Sequence, residues 1–312
     1  MNTPFLTALL AKLLAITGLC AAMTGPAHAD DLTQDEVLQV QFLEDVGASQ
    51  RIDLSGKLRM LSQRVPAAAC NLAAGIDPAS SSAMLTSAAE EFEKIVTALE
   101  FGDETLGIIG AEERRKTLVG IRKLHEEWLP MFEAAKTILT DGGTNDQIAA
   151  MSAQSAEVLR IAQLLVSEIS GQYADPTALL QIDALTIDLA GRQRMLAQRI
   201  SKNVCLISSG VNVDAAATEL TEAAATFSST LDALVTGMPA AGIKAPPTAE
   251  IADAIAVVVD DWAELQPIVA KVLAGDALDE GTRADMFNKS NAMTGDMNTV
   301  VVMYSEASKL NI

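Results

Sequence analysis

Arg59 and Arg194 sit at matching places in two copies of one string. DLSGKLRMLSQRV at 53–65 aligns with DLAGRQRMLAQRI at 188–200; eight of thirteen positions are identical, at an offset of 135. A guanidinium is permanently charged and presents a planar fork of donors that fits a flat oxyanion. On a helix with about 100° between side chains, Gly56 lies about 60°, Gln63 about 40° and Cys70 about 20° from Arg59. Gly191, Gln198 and Cys205 surround Arg194 in the same way. Two such faces meeting across a pseudo-twofold axis would oppose two arginines, which repel unless an anion lies between them. The expected chemistry is a clamp on one small planar oxyanion. Arg59 and Arg194 are its donors, Gly56 and Gly191 permit close approach, and Gln63 and Gln198 stand one turn further along. The plainer alternative is a structural ion pair from each arginine to an Asp or Glu on another helix.

The positioning elements follow from the same duplication. Cys70 matches Cys205, Gly75 matches Gly210, and Glu126-Glu127-Trp128 matches Asp260-Asp261-Trp262. Ala-, Leu-, Glu-, Gln- and Met-rich stretches with clustered Gly and Pro favour helices. Copy one divides into a helix from the Thr33/Glu36 capping box to about Ala74, one from Pro78 to about Phe101, one over about 111–139, and one over about 145–173. Copy two restarts at Asp175-Pro176, and its helices end near Ser209, Val235, Leu273 and Ser308. The expected fold is all-α: two tandem antiparallel four-helix bundles, residues 30–174 and 175–312, related by a pseudo-twofold axis. Pro66 stands where copy two has Ser201, removes one helix hydrogen bond, and is expected to kink its helix and make the site asymmetric. Arg64 and Arg199 lie about 140° round from the motif arginines, towards the rest of their own bundles.

The Gly-x-x-Arg-Met strings at 56–60 and 191–195 resemble the sensor motif of NarX-like nitrate/nitrite sensor kinases. The fuller string at 188–200 is more similar still to the PilJ-type chemoreceptor sensor domain. That resemblance implies a periplasmic four-helix bundle that binds nitrate or nitrite at a dimer interface, one motif arginine per subunit. Carried over, those roles fall on Arg59 and Arg194. With two copies fused, one chain could supply both.

Residues 1–29 read as a signal peptide: Lys12, an apolar run from Leu13, a break at Gly25-Pro26 and a small-x-small site at Ala27-His28-Ala29. Cys70 and Cys205 are then the remaining cysteines, even in number and expected in an oxidising compartment. Sharing a face, they are expected to form a disulfide; two buried free thiols are the alternative. A net charge of −19 argues against nucleic acid or an anionic membrane as partner. No later stretch suffices for membrane insertion. No nucleophile has a plausible histidine base, so no catalysis is expected. His125 with Glu126, Glu127, Asp260 and Asp261 lacks the Glu-x-x-His pattern of a carboxylate metal bundle, so no metal or cofactor is expected. Met60, Met195, Trp128 and Trp262 read as core. The expected function is a soluble periplasmic sensor or binding protein for nitrate or nitrite, read out by a membrane signalling or transport partner. The alternative is a structural module of the same fold that binds another protein and no anion.

Overall fold

The computed structural model describes residues 34–173 and 181–309, and its long elements are all helices. Copy one supplies α1 (Gln34–Ala73), α2 (Pro78–Phe101), α3 (Arg115–Asp141) and α4 (Asn145–Tyr173). Copy two supplies α5 (Gln181–Ser208), α6 (Val213–Thr236), α7 (Ala249–Leu273) and α8 (Glu280–Lys309). The fold is all-α, as the sequence indicated. The segment 1–29, Thr33 and Asp175-Pro176 lie outside the described residues.

The corners show why each copy turns where it does. Gly75 and Gly210 both take φ +71°, a left-handed conformation that closes the preceding helix. Ile76 then donates its N–H to Asn71 O (2.9 Å), and Val211 to Leu206 O (2.9 Å). Asp77 and Asn212 follow with positive φ and open the next helix. The second corners also match: a bridge joins Asp103 to Ile108 and Met238 to Ile243, each around a single 3-10 turn. α3 begins at Arg115 rather than at 111. The buried Glu112 carboxylate holds the intervening chain off the helix by accepting the N–H groups of Glu113 (3.0 Å) and Arg114 (2.8 Å) and the Tyr173 hydroxyl (2.6 Å).

α3 packs on α4, α5 on α6 and α8, and α7 on α8. The described residues from Gln41 onward form one compact unit. The buried apolar side chains of both copies join in a single cluster, from Leu58, Leu61 and Val65 of α1 to Leu196, Ile200 and Val204 of α5. Trp128 stacks on Phe92 with ring centroids 3.9 Å apart, and Trp262 meets Phe227 at 4.7 Å, so the matched tryptophans fill matched positions. α1 continues as helix through Pro66.

Candidate ligand site

The two motif helices are tied at one end. Cys70 of α1 and Cys205 of α5 are joined by a disulfide, with Cα atoms 6.1 Å apart. Eleven residues earlier on each helix stand Arg59 and Arg194. Each guanidinium folds back over its own glycine: Arg59 Nε reaches Gly56 O (3.5 Å), and Arg194 Nε reaches Gly191 O (3.5 Å). A methyl group added at Gly191 would lie 3.6 Å from Arg194 Nη2 and 3.7 Å from Arg59 Nη2. The guanidinium groups of the two copies therefore approach the same point above Gly191. With the disulfide at one level and this pair at another, in the same order on both helices, α1 and α5 run in the same direction.

Both arginines are buried, Arg59 to 5% exposure and Arg194 to 3%. Their charges are met crosswise. Arg59 Nη1 lies 2.9 Å from Asp188 Oδ1, and Arg194 Nη2 lies 3.4 Å from Asp53 Oδ1. Asp53 and Asp188 are the first residues of the two motif strings, so each copy's string neutralises the other's arginine. Arg194 Nη1 also donates to Asn298 Oδ1 of α8, and Asp188 takes a second donor, Arg192 Nε, at 2.7 Å. The carboxylates stand partly in solvent, with 46% of the Asp53 side chain and 32% of Asp188 exposed. The arginine pair is thus sealed below and lidded above by groups that water can reach.

Burial pushes the Arg59 pKa below its usual value; Asp188 opposes that shift, while Arg192 and Arg194 add to it. A third guanidinium shares the field. Burial pushes Arg64 down to about 10, Glu91 opposes, and Arg194 contributes repulsion. Arg64 Nε is buried with no hydrogen-bond partner. Arg59, Arg64, Arg192 and Arg194 thus face the carboxylates of Asp53, Asp188 and Glu91, so cations outnumber anions by one in this region.

Gln63 and Gln198 are buried, and their amide nitrogens reach the fourth helix of their own copy. Gln63 Nε2 donates to Ser155 O (3.2 Å) of α4. Gln198 Nε2 donates to Thr294 Oγ1 (2.7 Å) and Asn291 Oδ1 (3.0 Å) of α8. Both glutamine carbonyl oxygens are buried without partners. Next to them, Lys202 is 1% exposed and spans the copies, 3.1 Å from Glu219 of α6 and 3.4 Å from Ser155 Oγ of α4. Arg199 also pairs with Glu219, at 3.3 Å, within its own copy.

Asp53, Asp188, Asn298 and Lys202 were not anticipated as site residues. The aspartates had a signal, because both motif strings begin with one, six residues ahead of the arginine. Asn298 and Lys202 had none, since the residues at the matching places in copy one are Gln163 and Ala67. Among the described residues, no group of three or more His, Cys, Asp or Glu side chains could hold a metal ion, and no helix is long and apolar enough to cross a membrane.

A family model described as the type IV pili methyl-accepting chemotaxis transducer N-terminal domain, PilJ, matches residues 44–153 and again 178–283. No curated protein matches the chain.

Proposed function

The chain belongs to the PilJ family of chemotaxis transducer N-terminal domains, and from that premise we propose that it is a periplasmic sensor holding one nitrate or nitrite between Arg59 and Arg194. The observation that carries this reading is the convergence of two buried guanidinium groups, one per copy, above Gly191. A flat anion there would receive charge-assisted hydrogen bonds from both sides, strengthened by exclusion of water. Asp53 and Asp188 would swing outward as it enters, which their exposure makes inexpensive. One chain does the work of two subunits, and a partner protein reads the resulting shift between α1 and α5.

Titration calorimetry with nitrate and nitrite tests the reading. We expect one anion per chain and at least a tenfold loss of affinity in Arg59→Ala, about 1.4 kcal/mol. The crossed ion pairs favour a second reading, a structural module whose arginines are already satisfied and whose helices bind another protein. That reading prevails if neither anion releases heat or raises the unfolding midpoint, because a native-state ligand must raise it.

A further inference from the structure

At the disulfide end of α1 and α5 lies a cavity of about 230 Å³, walled by both copies. It is separate from the arginine pair, since the eleven residues from Arg59 to Cys70 span about 16 Å of helix. Its walls are duplicated positions that have diverged. Ala74 of copy one matches Ser209 of copy two, and Ile148 matches Arg283. Copy one contributes methyl and butyl surface, which Val211 extends; copy two contributes a hydroxyl and a guanidinium. Asn145, the first residue of α4, adds an amide.

No acidic residue lines this cavity, although the chain carries a net charge of −19. Arg283 Nη2 donates to Ser209 Oγ at 2.8 Å, and Arg283 Nε is buried without a hydrogen-bond partner. Arg283 has no carboxylate within ion-pair distance among the described residues. Partial burial lowers its pKa, and only Glu280 opposes that. A guanidinium so placed has lost part of its hydration and gained no ion pair in return, a condition that an incoming anion corrects. The cavity is far larger than a nitrate needs, and half of its wall is hydrocarbon. A ligand with a charged head and a short carbon chain satisfies both halves.

We propose that this cavity binds a short aliphatic monocarboxylate, its head on Arg283 and Ser209 and its chain against Ile148, Val211 and Ala74. Such a ligand touches both copies next to the disulfide. This second site stands whether or not the arginine pair binds an oxyanion.

The probe is n-butyrate, followed on the full chain by NMR chemical-shift titration, with n-butanol and n-butylamine as controls. Butyrate is expected to bind saturably with one site per chain, and each control at least tenfold more weakly. Arg283→Gln is expected to weaken butyrate at least tenfold. Ile148→Trp, which fills the cavity from the other copy and keeps the guanidinium, is expected to abolish binding. The butyrate-dependent shifts are expected at Ile148 and Val211 and not at Gly191. The proposal is overturned if butyrate does not bind, if butanol binds equally, or if either cavity variant binds butyrate undiminished. Shifts centred on Gly191 would also overturn it, by placing the ligand at the arginine pair.

Discussion

Arg59 and Arg194 are each met by a carboxylate from the other copy's motif string, and an anion entering between them competes with those carboxylates. Asp188→Asn keeps the shape and removes the competing charge. Nitrate affinity is expected to rise about tenfold, or 1.4 kcal/mol, by calorimetry; an unchanged affinity would mean that Asp188 does not compete. Gly191→Ala separates stability from binding. The added methyl meets both guanidinium groups at ordinary contact distance, so the helix tolerates it. Unfolding in denaturant should show a gain of about 1 kcal/mol from helix propensity, while nitrate binding weakens because the methyl occupies the ligand's floor. A more stable variant with full affinity would show that the anion does not sit over Gly191. The arginines and glycines were legible because a repeated string with a fixed offset singles them out. The crossed aspartates were written in the same strings, yet spacing along one helix does not reveal which residues of a second helix will reach across.

At the scale of helices, most ends were legible because glycines with positive φ and the proline at the start of α2 mark them physically. The start of α3 was not. It depends on Glu112, whose carboxylate is held by Tyr173 from the far end of α4, sixty-one residues away. Pro66 was expected to kink α1; the helix continues through it, with Val65, Ala67 and Ala68 fully buried around the proline. The disulfide ties the two motif helices across a sequence separation of 135 residues. Replacing Cys70 and Cys205 with serine is expected to lower the unfolding free energy by about 2–5 kcal/mol. Equal denaturation midpoints for parent and double variant would refute that contribution.

At the scale of the molecule, one apolar cluster spans both copies, so the repeats share stability as well as the crossed ion pairs. One buried hydroxyl within it reports on the whole fold. Tyr304 of α8 is 5% exposed, its hydroxyl has no hydrogen-bond partner, and burial pushes its pKa up to about 12 from the ordinary 10.0. Between those values the unfolded chain has released the phenol proton and the folded chain has not. Stability is therefore expected to fall as pH rises from 10 to 12, by about 2–3 kcal/mol from this residue. Tyr304→Phe should flatten that alkaline slope and leave neutral-pH stability unchanged or higher, as urea melts at stepped pH would show. An alkaline slope as steep as the parent's would assign it elsewhere. Duplication and helical class were legible at this scale from composition and offset alone. The shared core was not, because amphipathic helices do not declare whether their apolar stripe faces a sister helix or a sister copy.

The covalent link between α1 and α5 also has a mechanical consequence. Two rods pinned at Cys70 and Cys205 can part only as scissor blades do, and the arginines lie partway along those blades. From the pin to Arg194 is about 16 Å of α5, and from the pin to Gln181 about 36 Å. A gap opened or closed by an ångström at the arginines is therefore magnified about twofold at the Gln181 end, and cutting the pin should abolish that leverage.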